Sequence, residues 1–458
     1  GDVNKTQTAA NYKSLGITAG NLVLPQNSNA HFIFEDMKLT NGGVRGLAGN
    51  GSKLTMGERL SGMTNDTSGW KFFVAGGGAP VKATFTNADF TFTGNSDVTI
   101  KSGDYAGVCG GNYPYSSGTN TFNGNSKVTI DGGTMLEVVG EAYSSSLSAS
   151  IHNGNVEITI NDGSGIKPNG AGGGSRIVMG SDVYGGKLTT NKVTGTATLN
   201  LNTATWGADN TRIATGYTGI TENSADFARV VYNVTTSTSK RYIYDFDELN
   251  IKPGVELTVP GDMDSKRYYP KAEGKIIFND NSTLKTGGSG NLTAGSYEVN
   301  GNNNNLQIAK VASTTYPINL YGGAPTGTGK LTVGPYSNGA TPASNDVLIK
   351  YTTNPQVANK EHYANGFPDY LLLDDKTAGT VYLNGRMVSV TYGGTTEYFP
   401  NIKEAMAKVT DANTEYTVTV RKQNYEVTDA DVAAMKTAAA KKISFTSKFT
   451  LEALDPLE

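Results

Sequence analysis

Asn95–Gly111 reads NSDVTIKSGDYAGVCGG, and thirty residues further on Asn125–Glu141 reads NSKVTIDGGTMLEVVGE. The opening phrase returns after another thirty residues as NVEITI at Asn155, and in weaker form as TATLNL at Thr196. Side chains of a strand point alternately to opposite faces. One face of each copy therefore carries Val98 and Ile100, Val128 and Ile130, Ile158 and Ile160, then Leu199 and Leu201, all aliphatic. The other face carries Thr99, Thr129, Thr159 and Asn200, flanked by the column Asp97, Lys127, Glu157, with Lys101 and Asp131 beside it. Copies stacked at the ~4.8 Å strand spacing put each charge next to its opposite, which is what parallel, in-register pairing requires. Gly103, Gly133 and Gly163 follow each strand where the chain must turn. An antiparallel sandwich also shows short alternating strands, but it does not demand equivalent residues at a fixed step. The fold expected is all-β: a right-handed parallel β-helix, or solenoid, with repeat units near 95–124, 125–154 and 155–195.

Away from these copies the pattern loosens. VAGG at Val74–Gly77 and VYGG at Val183–Gly186 echo the VCGG corner. HFIFEDMKL (His31–Leu39) and DFDELNI (Asp245–Ile251) read as strands, each followed by a second, at Ser52–Met56 and Val255–Val259. Gly274–Leu284, Asn305–Ile308, Lys330–Val333, Asp346–Tyr351 and Tyr370–Leu373 read as further rungs, with turns at Gly301–Asn305 and Gly322–Gly329. No linker interrupts this region, so 1–384 is expected as one elongated β-helix. Residues 385–458 differ. A strand at Met387–Tyr392 and the turn Gly393–Gly394 precede Ile402, Ala405, Met406 and Val409 at helical spacing. After a strand carrying Tyr416, Val418 and Val420, Thr428 caps a second helix with Asp431 three residues on, and Val427 is placed to staple against Val432. Lys441 and Lys442 close that helix before a last strand at Ile443–Leu451. This is a small α+β module, or a cap on the open end of the coil.

Composition excludes several classes. Among 458 residues there are 57 Gly and 15 Pro, too few for a low-complexity chain and without the period of collagen. A net charge of −3 with no Lys/Arg cluster gives no footprint for nucleic acid or an anionic membrane. No apolar run reaches the ~20 residues of a membrane helix. Cys109 is alone, and His31, His152 and His362 lack metal-ligand spacing, so no metal or cofactor is expected. The first residues lack an initiator Met and an apolar signal core, and read as the start of a mature or trimmed chain with Gly1 as a cloning remnant.

TGNSDVTIKSGDYAGVCGG and FNGNSKVTIDGGTMLEVVG resemble the repeat of large secreted β-helix surface proteins of gut-dwelling Gram-positive bacteria, in which a strand "NTxVTISGG" precedes "VYGGG". The likeness is good over Lys71–Gly219 and loose over Ile220–Asn384, and Tyr398–Tyr425 is similar to the helix-then-strand entry of a new β-helix in such chains. It implies a modular, adhesin-like parent protein at the cell surface and carries over no catalytic residue.

The enzymes of this scaffold, polysaccharide lyases and glycosidases, need grouped carboxylates, and little of that kind is present. Asp374–Asp375 is the only Asp-Asp pair and reads as a turn; no Gly-His-Gly exists; His152 reads as structural. Asp97 and Glu157 share a column with Lys127 between them, so neutralisation is the simpler role. DFDE at Asp245–Glu248 is the densest acidic run, at a spacing common on strand edges. The Gly runs 76–78 and 172–174 lack the following Lys-Ser/Thr of a phosphate loop. The better lead is aromatic. Tyr105, Tyr113, Tyr115, Tyr143 and Tyr184 fall in or beside successive Gly-rich corners, with Trp206 near the next. Either sugar rings stack on them, or they cover corners that have no side chains of their own. Cys109 reads as a buried small hydrophobe. The expectation is a non-catalytic extracellular β-helix, adhesin-like, binding glycans or another surface protein. The alternatives are a polysaccharide lyase or glycoside hydrolase, and a structural spacer.

Overall fold

The structure, a computed structural model, describes residues 13–447 apart from 18–19, 36, 42–43, 61–71, 81–86, 115, 145, 168–174, 184–187, 209, 217–223, 270–272, 287–291, 310–317, 337–342, 344, 369, 422–424 and 439–440. Val98, Val128, Ile158 and Leu199 are direct cross-strand neighbours in parallel strands, as are Ile100, Ile130, Ile160 and Leu201. All eight are buried. The chain is a parallel β-helix.

The first sheet stacks twelve parallel strands from Gly20–Val23 to Val347–Tyr351. The second runs from His31–Phe34 through Ser96–Ile100, Ser126–Ile130 and Val156–Ile160 to Thr326–Gly327. A side ladder of Phe90–Thr93, Thr119–Asn123 and Ala149–Asn153 merges into the long strand Thr190–Leu201. From Thr238–Ser239 onward a six-stranded third sheet takes its place, ending at Tyr363–Asn365. One hydrophobic cluster fills the coil from Leu24 to Leu383. Fully burying each such aliphatic or aromatic side chain is worth about 1.5–3 kcal/mol, so the interior is the main source of stability.

The corners explain the Asn and Gly content. Asn95 Oδ1 accepts from Asn125 N at 2.8 Å, Asn125 Oδ1 from Asn155 N at 2.9 Å, and Asn155 Oδ1 from Thr196 N at 2.8 Å. Each Asn thus satisfies a turn amide of the next rung that the strand ladder leaves over. Just before these sit Gly94, Gly124 and Gly154, all at positive φ. A Cβ on Gly124 would lie 2.2 Å from Gly94 O, so rungs can approach only because no side chain intervenes. Gly103 and Gly133 also have positive φ. On the outer face of the second sheet, Lys53 pairs with Asp97 at 3.6 Å and Lys127 with Glu157 at 3.1 Å. Lys101 reaches instead to Glu58 at 3.5 Å, and Asp131 accepts from Asn161 Nδ2 at 2.7 Å.

The departures from the reading are local. HFIFEDMKL divides into His31–Phe34 and Met37–Asn41. The rung equivalent of VCGG after VVGE is Ile177–Gly180, since Val139 pairs with Val178; Val183 pairs with Ser144 in a separate short ladder, so VYGG is not a corner copy, and its last three residues lie outside the described set. Tyr370–Asp375 is no rung. It forms an antiparallel hairpin with Thr380–Gly385, which pairs antiparallel with Val347–Tyr351 and closes the edge of the first sheet. Asp375 Oδ1 accepts from Thr377 N and Ala378 N and makes the hairpin turn.

Beyond the hairpin a second core begins at Val388, separate from that of the coil. A four-stranded sheet, Thr395–Phe399, Val388–Tyr392, Glu415–Val420 and Lys442–Ser447 in that order, carries helices Ile402–Met406 and Asp429–Ala438. Asp431 holds both helix starts. Its carboxylate accepts from Lys403 N at 2.6 Å, from Thr428 N at 3.0 Å and from the Thr428 hydroxyl at 2.9 Å. Val427 and Val432 are both exposed and form no buried staple. The second helix ends before Lys441, and Lys442 opens the last strand.

Two glycines separate backbone freedom from close approach. Gly254 has a φ of 71° with nothing within 4 Å of a built Cβ, whereas Gly124 combines a φ of 150° with the clash. Gly254→Ala is expected to cost about 1 kcal/mol and Gly124→Ala more than about 3 kcal/mol. Thermal melts of the two variants, read against the parent, check this ordering.

Candidate functional site

The inner residues of the first sheet are Val74, Val108, Val138, Ile177, Ile213 and Ile243. Their neighbours on either side point outward and form two columns. One runs Phe73, Gly107, Glu137, Arg176, Arg212, Tyr242. The other runs Ala75, Cys109, Val139, Val178, Ala214 and is continued by Tyr244, Asp264, Thr293, Asn319 and Lys350. The two halves of this face differ.

The first half is roofed by the segments that follow each strand. Tyr143 and Tyr113 stack on Phe73 with centroids 4.3 and 5.0 Å away, over a small core with Cys109, Val139 and Val178. Beneath them Arg176 Nη1 contacts Asp182 Oδ2 at 2.7 Å and Glu137 Oε2 at 3.4 Å. Burial and the neighbouring Asp182 push the Glu137 carboxyl well above its ordinary value, with Arg176 opposing. Two carboxylates, an Arg and a Tyr are the parts of an acid–base site, yet Glu137 is 1% and Asp182 0% exposed. No polymer bond can reach them, so the group acts as a buried ion cluster that fixes the roof. Burial likewise pushes the Cys109 thiol up to about 12, leaving an inert thiol whose Sγ lies 3.5 Å from Asn112 O.

The second half has no such roof among the described residues. Tyr242, Tyr268 and Tyr321 are half-buried here, and Tyr244 is buried. Tyr242 and Tyr244 stack at 6.1 Å. Arg212 and Arg241 lie 4.8 and 5.3 Å from the Tyr242 ring centre. Arg267 lies 4.6 Å from that of Tyr244 and 5.4 Å from that of Tyr268, and Lys266 Nζ 3.3 Å from that of Tyr321. The Tyr321 hydroxyl donates to Asp264 at 3.2 Å. Such cation–ring contacts are worth about 0.5–1 kcal/mol each where exposed. They hold the long side chains in place along the face.

The aromatic residues singled out at the corners do not form an exposed ladder. Tyr105 is inside the coil, its hydroxyl donating to Ser102 O at 2.7 Å. Tyr113 and Tyr143 close on Phe73. Trp206 has Lys240 Nζ 3.7 Å from its ring, while a Cβ on Gly163 would lie 2.5 Å from Cε3, and its indole N–H donates to Thr238 Oγ1. The physical reason is the one that made them corner residues: rings fill the space that glycines leave open. Tyr115 and Tyr184 lie outside the described residues. The strip actually assembled comes largely from two short phrases, KRYIY at Lys240–Tyr244 and KRYY at Lys266–Tyr269. The repetition of Lys-Arg-Tyr was the available signal, hidden because it falls where the thirty-residue step has lapsed.

The DFDE run disperses. Asp245 is buried, its oxygens accepting from Tyr268 N, Tyr269 N and Thr215, while Asp247 accepts from Val230 N and Glu248 pairs with Arg229. Each of these carboxylates is thus engaged by donors of the protein itself. No group of three or more His, Cys, Asp or Glu among the described residues is arranged to hold a metal, and no described helix is long and apolar enough to cross a membrane.

Two buried titratable groups have opposite pH signatures. Glu141 stands in a corner column beside Gly111 and Gly180, and Ser150 donates to its Oε1 at 2.5 Å. Burial raises its carboxyl from 4.5 to about 7. The folded chain therefore holds this proton more tightly, and the stability it contributes is full below pH 4.5 and lost as pH rises through 7. His152 stacks on Phe122 at 4.7 Å, and burial lowers it from 6.5 to about 4. Its contribution is present above pH 6.5 and lost as pH falls through 4. Relative to the parent, Glu141→Gln should gain about 3 kcal/mol between pH 4.5 and 8. His152→Phe, which extends the Phe92–Phe122 stack, should gain about 2 kcal/mol at pH 5 relative to pH 8. Denaturant unfolding of the three proteins across this range checks both signs.

No family model matches the chain, no curated protein matches it, and no solved structure matches it.

Proposed function

We propose that this chain is a non-catalytic extracellular β-helix of a bacterial surface protein, adhesin-like, which holds glycans on the second half of its first sheet. The supporting observation is the strip of half-buried rings at Tyr242, in a strand, and at Tyr268 and Tyr321, which follow the strands Met263–Asp264 and Ile318–Leu320 of the same sheet. The tyrosines and the cations lying against them give a saccharide polar partners along the strip. The repeat resemblance around Asn95–Glu141 supports the surface location. Against the lyase or hydrolase alternative stands the closure of Glu137 and Asp182 beneath Tyr143, and the use of Asp375 in a turn. A spacer would bind no glycan at all.

A glycan array, combined with reducing-sugar and unsaturated-product assays on the retained polysaccharides, tests this reading. Retention without turnover is expected, and Tyr242→Ala is expected to weaken it about tenfold. Turnover on any polysaccharide assigns the chain to the enzymes, and loss of all retention assigns it to the spacers.

A further inference from the structure

The rings of the strip are not free platforms, because cations already lie against them. Arg212 and Arg241 flank Tyr242, Arg267 lies over both Tyr244 and Tyr268, and Lys266 sits 3.3 Å from the centre of Tyr321. A neutral sugar would have to displace these groups before it could stack, and would lose the cation–ring attraction in doing so. An anionic group has the opposite relation to the same geometry. It meets guanidinium and ammonium groups that the rings hold in position, so little side-chain entropy is lost on binding. The acidic residues of the strip, Asp262 and Asp264, are outnumbered by Arg212, Arg241, Lys266 and Arg267, although the whole chain carries a net charge of −3. Lys350 continues the same outward column after Thr293 and Asn319. From Arg212 to Lys350 the face spans five rung steps, about 24 Å at the strand spacing.

Building on the glycan reading above, we infer that the ligand is an anionic polysaccharide, carrying carboxylates or sulfates, laid across the rungs from Arg212 toward Lys350. The overall negative charge of the protein favours such a local contact over the broad basic surface that nucleic acid requires.

The test is affinity electrophoresis of the full chain in gels containing polygalacturonate, dextran sulfate, neutral dextran or single-stranded DNA. Retardation by the two anionic glycans, weakening with salt, and none by dextran is expected. The variant Arg241→Gln/Lys266→Gln/Arg267→Gln should lose at least tenfold in affinity. A variant with the same charge change elsewhere, Lys127→Gln/Lys192→Gln/Lys285→Gln, should not. Arg241→Lys/Arg267→Lys should keep most of the binding, which separates loss of charge from misfolding, and thermal melts accompany each variant. Equal retardation by dextran, or equal loss in both triple variants, overturns the anionic assignment while the glycan reading stands. Retardation by DNA stronger than by either glycan overturns it in favour of nucleic acid. Failure to bind any glycan overturns both.

Discussion

Everything in this molecule depends on one rung lying in register upon the next. A parallel ladder alone would leave the exposed turn amides between strands without a protein partner. The side chains of Asn95, Asn125 and Asn155 supply that partner by reaching one rung across, which ties each corner to the next. Glycines at the same corners let the backbones close to contact distance. The aliphatic columns can then stack in one continuous interior from Leu24 to Leu383.

The same register explains how polar groups are tolerated inside. Asn120, Ser150 and Asn191 are aligned across three rungs and all fully buried. Facing Asn191 is Gly180, where any Cβ would strike the Asn side chain; facing the shorter Ser150 is Glu141. A larger side chain on one wall faces a smaller one, or none, on the other. The neighbouring rungs therefore fit at the same spacing with Gly against Asn or Glu against Ser.

Much of the fold could be read directly because, between Asn95 and Ile160, the repeat length and the rung length are the same thirty residues. Further on they are not. Tyr232, Leu249, Ile276 and Tyr297 are successive cross-strand neighbours, yet they lie 17, 27 and 21 residues apart. A third sheet with short turns replaces the side ladder, and a fixed step can no longer find equivalents. KRYIY and KRYY lie at different places in their rungs, since Tyr244 stands opposite Asp264, so no fixed step connects them. An apolar strand pattern also cannot tell a last rung from a hairpin: Tyr370–Leu373 reads as a strand, and only its partner strand reverses direction.

That reversal has a mechanical side. In the coil the hydrogen bonds between strands run along the long axis, and each rung touches little beyond its two neighbours. A pull along that axis loads those bonds in series, so the solenoid would give way one rung at a time, dissipating energy in many small extensions. The closing hairpin, gripping the last rung through antiparallel bonds to Val347–Tyr351, decides where such yielding begins: a tether attached beyond residue 385 must first peel the hairpin before any rung, or any ring of the strip, is disturbed.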